Sequence, residues 1–165
     1  MKRVAFAICI LLAAVSSAFA QDAATDGKTQ EVLAIIDEHT PVLEEFAVKL
    51  GEHKTHLDER IIVLKYHKTN KEVQEASRLV VANTETYYQS VVLKVQQFES
   101  QWFDQTRNII AIYTKYGELR EASGGGSNSL QDFVDKHLHY LDLLENIKRD
   151  LIGVYTDITT IKNAI

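Results

Sequence analysis

Thiols are almost missing from this chain: among its 165 residues the only cysteine is Cys9. It lies in a stretch where Lys2 and Arg3 precede an apolar run from Val4 to Val15, and Ala18 and Ala20 stand three and one before Gln21. That is the layout of a secretory signal peptide, residues 1–20, cut before Gln21. The expected product is secreted and extracellular, and it carries no thiol. Disulfide stapling, cysteine nucleophiles and thiolate metal sites are thereby excluded, so stability must come from a hydrophobic core. The apolar part of the leader falls short of the ~20 residues that span a bilayer, and charged residues interrupt every later apolar run. An integral membrane protein is not expected.

Helix breakers are equally scarce. Pro41 is the only proline, and no glycine occurs between Gly51 and Gly117. Long helices can run without interruption, and the fold class predicted is all-α. Positive charge is in deficit as well: 18 Lys and Arg stand against 23 Asp and Glu, a net charge of −5, and loss of Lys2 and Arg3 with the leader makes the chain more acidic. An acidic surface repels phosphate backbones, so no nucleic-acid partner is expected. Asn70, Asn83, Asn108, Asn128, Asn146 and Asn163 all lack the Asn-x-Ser/Thr context, so no N-linked glycan is expected.

What is abundant is apolar periodicity in steps of three and four, the spacing that gathers side chains on one helix face. One stripe runs Val32, Ile36, Thr40, Leu43, Ala47, Leu50, Lys54, Leu57, Ile61 and Leu64. Thr40-Pro41 and Gly51 are possible breaks in it. A second runs from Tyr88 through Val91, Val95, Phe98, Trp102, Gln105, Ile109, Ile112 and Tyr116 to Leu119, with Val73, Ala76, Val80, Asn83 and Tyr87 upstream after a phase slip. Residues 70–121 form one helix or two joined near Asn83-Thr84. A third takes Leu130, Val134, His137, Leu141, Leu144, Lys148, Leu151, Tyr155, Ile158, Lys162 and Ile165, flanked by Phe133, Leu138, Ile147, Ile152 and Ile161. Ser129 with Asp132 has near capping-box spacing, as has Thr69 with Glu72, which places a helix start near Asn70. Asp132 with Lys136 and Glu145 with Arg149 sit at the acid-before-base spacing of a solvated helix face.

The short Lys68-Thr69-Asn70-Lys71 turn predicts antiparallel neighbours. Residues 123–129 read as a flexible Gly/Ser link, because the lysine and preceding strand of a phosphate loop are missing. Residues 21–28, small and polar, read as a disordered lead-in, leaving 29–165 as a single helical-bundle domain.

Sites are sparse. Among the six histidines, His53 and His56 are three apart on one helix face with Glu52, Asp58 and Glu59 nearby, and they are the candidate pair for a metal. His137 and His139, two apart, diverge by about 200° on a helix. No His-Glu-x-x-His signature, nucleophile elbow or paired inward carboxylates occur, so no enzyme, catalytic residue or cofactor is expected. Aromatics crowd the middle helix, and most fall on its inner stripe as core. Trp102 and Phe103 point about 100° apart, so one of them reaches the edge of the bundle as a candidate partner or ligand contact.

In size, missing thiols and helical pattern the chain after its leader is similar to the exchangeable apolipoproteins of insect blood, the apolipophorin III type. That similarity implies carriage of lipid or another apolar molecule. Longer helices and scarcer punctuation than a five-helix opener has point elsewhere. The sequence predicts an elongated antiparallel bundle of three or four long helices with coiled-coil-like heptad stripes. It predicts a non-enzymatic protein acting by contact with an unknown protein partner or with itself, with lipid carriage as the alternative.

Overall fold

A computed structural model describes residues 2–123 and 128–165, with side chains placed for 26–118 and 130–165. Among the described residues every regular element is an α-helix: α1 (Lys2–His67), α2 (Lys71–Asp104), α3 (Thr106–Ser123) and α4 (Asn128–Ala164). Much of the Gly/Ser segment 123–129 lies outside the described residues. Ser123 ends α3, while Asn128 and Ser129 open α4.

Neither Pro41 nor Gly51 divides α1. Pro41 is exposed inside the helix, where one missing donor and the crowding of a single turn are outweighed by long apolar stretches on both sides. The same helix includes residues 2–28, read from composition as leader and lead-in. On its inner face Ile36, Leu43, Leu50, Leu57 and Leu64 recur every seven residues, and all are buried. Each such side chain contributes ~1.5–3 kcal/mol when taken out of water. His39, and not Thr40, fills the core position between Ile36 and Leu43.

The turn after α1 closes through Asn70, whose amide donates to the His67 carbonyl at 3.0 Å. Its Oδ1 accepts from the backbone N–H groups of Glu72 at 2.9 Å and Val73 at 3.3 Å. Asn70 is thus the N-cap of α2, the role that spacing had given to Thr69. From there the buried face reads Ser77, Val81, Thr84, Val91, Val95 and Phe98 in one phase. The predicted slip near Tyr87 does not occur. It came from treating Val73, Ala76 and Val80 as inward; two small polar residues, Ser77 and Thr84, hold those core positions, the first with its hydroxyl donating to the Val73 carbonyl at 2.7 Å. Asn83-Thr84 is continuous helix, and the break falls at Gln105 instead. Gln105 Nε2 donates to Glu31 Oε1 at 3.0 Å while its Oε1 accepts from Asn108 at 2.7 Å.

Along α4 the buried positions are Leu130, Phe133, His137, Tyr140, Leu144, Ile147, Leu151, Val154, Ile158 and Ile161. Half of the predicted stripe is therefore displaced by one residue, with Tyr140 and Val154 inside where Leu141 and Tyr155 were expected.

The described residues form two compact units, 2–36 with 104–123 and 128–136, and 37–103 with 137–165. The boundary coincides with the end of α2 at Asp104, a break that the unbroken spacing through Trp102, Gln105 and Ile109 does not mark. In the first unit Tyr113 stands edge-on to Phe133 at 5.9 Å, and Tyr116 donates to Gln131 at 2.6 Å. In the second, α1, α2 and α4 each supply a segment. Tyr88 meets Tyr155 at 6.1 Å, and Glu85 bonds Lys162 at 2.5 Å, so α2 runs against α4. His53 meets Thr84 and His39 meets Phe98, so α2 also runs against α1.

Candidate functional site

Trp102 sits in a buried cluster of rings within the second unit. Phe98 and Trp102 are one turn apart on α2, His137 and Tyr140 one turn apart on α4, and His39 comes from α1. The His39 ring stacks on Phe98 at 3.7 Å between centroids with planes 13° apart. Its Nδ1 lies 3.0 Å from the Tyr140 hydroxyl. Trp102 is 4.7 Å from the Tyr140 ring and 5.0 Å from His137. His39 is 1 % exposed and His137 7 %. Burial holds both imidazoles below their ordinary pKa of 6.5; for His39 a side-chain hydrogen bond to Gln101 and the charge of Glu38 pull upward, and Lys94 adds to the lowering. Burial, helped by Glu99, pushes the Tyr140 phenol up to about 12. Tyr140 therefore keeps its proton, and it pairs with a neutral His39 whose tautomer sets which of the two donates. A proton added to either imidazole would place a charge inside the core, so the cluster is a place where pH acts on the fold.

Sequence reasoning missed His39 and Tyr140. The steps 36-39-43 and 137-140-144 are as regular as 36-40-43 and 137-141-144, and leucine at 141 drew the stripe away from tyrosine.

The candidate metal pair is split. His53 is half-buried, with Nδ1 3.1 Å from Thr84 Oγ1 and its ring stacked on Tyr87 at 4.8 Å. Burial and then the neighbouring His56 lower its pKa, against the pull of Glu52. His56 is exposed. Among the described residues no group of three or more His, Cys, Asp or Glu is placed to hold a metal ion. His137 and His139 diverge, as their spacing requires: the second is exposed, with Nε2 3.5 Å from Glu44.

Phe103 is 77 % exposed, next to half-buried Trp102. It ends a strip of exposed residues along α2 that includes Leu79 and Leu93. All residues from 79 to 103 are described, and none of the exposed ones is Asp, Glu, Lys, Arg or His. The charged residues of that stretch, Glu85, Lys94 and Glu99, are partly exposed and engaged with neighbouring groups. Glu85 and Glu99 bond Lys162 and Lys148 of α4, while Lys94 lies over the Phe98 ring at 4.9 Å. By contrast α1 exposes Glu38, Glu44, Glu45, Glu52, Asp58 and Glu59.

Elsewhere in this unit a cleft of about 250 Å³ opens between α1 and α4, floored by Ile61, Leu64, Ile161 and Ala164 and edged by Lys65 and Lys68. No helix among the described residues is long and apolar enough to cross a membrane. Comparison with protein-family models, curated proteins and solved structures finds no match.

Proposed function

We propose that the chain, once relieved of residues 1–20, is a secreted, extracellular, non-enzymatic helical protein that acts by contact with a partner protein or with itself. Its helices work as coiled-coil-like elements of a bundle whose inner stripes hold the scaffold and whose outer α2 face is offered for binding. The observation that carries this reading is the uncharged strip ending at Phe103. In a chain with 25 % charged residues, a helix face this long without one lacks the usual solubilising pattern, and exposed apolar groups within it mark an interaction surface. Trp102 beneath it is anchored by His137 and Tyr140, which fixes the backbone that presents Phe103.

Carriage of an apolar molecule is the second reading, supported by the cleft edged by Lys65 and Lys68, where an ammonium group could meet the head of an anionic amphiphile. Solvent extraction of protein purified from the medium of expressing cells separates the two. Contact by protein surface predicts no stoichiometric lipid in the extract; about one mole of lipid per mole of protein would replace it with the carrier reading.

A further inference from the structure

The uncharged α2 face narrows the choice of partner. A two-fold contact sets one face against its own copy, so every charge on it meets a like charge or must be offset by an opposite one nearby. The chain is acidic overall, and the outward side of α1 carries a row of carboxylates. On α4 the exposed apolar residues Leu138 and Leu141 lie among exposed Asp142, Glu145, Lys148 and Arg149, and Ile152 and Tyr155 follow them. The α2 strip is different. Leu79, Ala82, Gln89, Leu93, Gln96 and Phe103 follow one another at helix-face spacing, and the residues among them are Asn, Thr, Gln and Ser. Leu79, Leu93 and Phe103 are 64 %, 67 % and 77 % exposed.

We infer that this strip is the contact through which two copies of the chain associate. Laid across a two-fold axis, two strips cover the three large apolar side chains of each copy with no exposed charge between the two ends, which exposed Arg78 and Asp104 bound. Glutamine, serine and threonine at the other positions pair with their own kind, since each both donates and accepts. Glu85 and Glu99 flank the strip, but the ammonium groups of Lys162 and Lys148 already offset them. The strip spans 25 residues, ~37 Å of helix. Two such strips cover on the order of 1,000 Å² in total, the low end for specific association, which suits a dimer that forms and dissociates. The inference rests on the protein-contact reading and names its partner.

Sedimentation equilibrium over a concentration series tests it, using protein purified after expression of the full chain in a secreting host. The expected result is a monomer–dimer equilibrium. Leu93→Glu, which sets two carboxylates against each other near the axis, weakens it at least ~10-fold, whereas Ile152→Glu on α4 leaves it unchanged. Circular dichroism of both variants shows whether the helices and their melting survive. Because the contact is neutral and the copies repel elsewhere, raising salt from about 0.05 to 0.5 M leaves association intact or strengthens it. A monomer at all concentrations, or a dimer broken by Ile152→Glu but not by Leu93→Glu, overturns the inference. A lipid-free monomer that binds another extracellular protein, and loses it with Leu93→Glu, overturns the dimer alone; a monomer with stoichiometric lipid overturns the protein-contact reading as well.

Discussion

Acid should loosen this protein well before it protonates the carboxylates. His39 and His137 are buried among aromatic rings, His53 is half-buried against Tyr87, and burial lowers the pKa of all three from 6.5. In the unfolded chain these imidazoles titrate at their ordinary value. Between that value and the lower folded one, the unfolded state binds more protons, so stability is full above about pH 6.5 and falls as pH drops through that window. Each histidine contributes a slope of at most ~1.4 kcal/mol per pH unit, so ~3 kcal/mol per unit is the ceiling for the two buried ones together. That is a large part of the 5–15 kcal/mol by which a domain is ordinarily stable. Asp157 acts in the opposite sense: burial, with Asp58 nearby, raises its pKa above 3.8, so proton uptake there favours the folded state, but only at lower pH. Urea unfolding followed by circular dichroism at pH 7.5, 6.5 and 5.5 measures the slope. His39→Gln removes the proton site while leaving a hydrogen-bond partner for the Tyr140 hydroxyl, and it should flatten the slope by up to ~1.4 kcal/mol per unit. Equal stability at pH 7.5 and 5.5, or an unchanged slope in His39→Gln, would refute the reasoning.

Other substitutions separate the parts of the scaffold. Leu57→Ala opens a cavity at a fully buried seam position and should cost ~2–5 kcal/mol in urea unfolding, whereas Ile62→Ala, at a residue 60 % exposed, should stay within ~0.5 kcal/mol. Asn70→Ala removes the acceptor for two free N–H groups of α2 and should cost ~1 kcal/mol by the same measurement. Pro41→Ala restores a helical donor at an exposed site and should stabilise by ~1–3 kcal/mol, seen as a higher denaturation midpoint; a lower midpoint would show that α1 needs proline there.

Helix content and most inward leucines and isoleucines were legible because scarce breakers and steps of three and four leave little alternative to amphipathic helices. The errors share one cause. Where a polar residue and an apolar one compete for adjacent core positions, hydrophobicity alone favours the apolar one. Ser77, Thr84, His39 and Tyr140 went unread for that reason, because their polar atoms are satisfied only by groups distant in sequence or by a backbone carbonyl one turn away. The end of α2 was hidden in the same way: the helix breaks at Gln105 without glycine or proline, where the side chain bonds Asn108 and Glu31, contacts that no spacing rule contains. Phe103 could be singled out from its 100° offset to Trp102, but the neutrality of the surrounding face emerges only after burial sorts Glu85, Lys94 and Glu99 away from the exposed residues.

Native mass spectrometry of the protein recovered from the medium, recorded at low and high concentration, tests the central claim most directly. The account predicts a chain beginning at Gln21, bare of lipid, present as monomer when dilute and increasingly as dimer when concentrated. A monomer carrying a bound lipid at every concentration would contradict it.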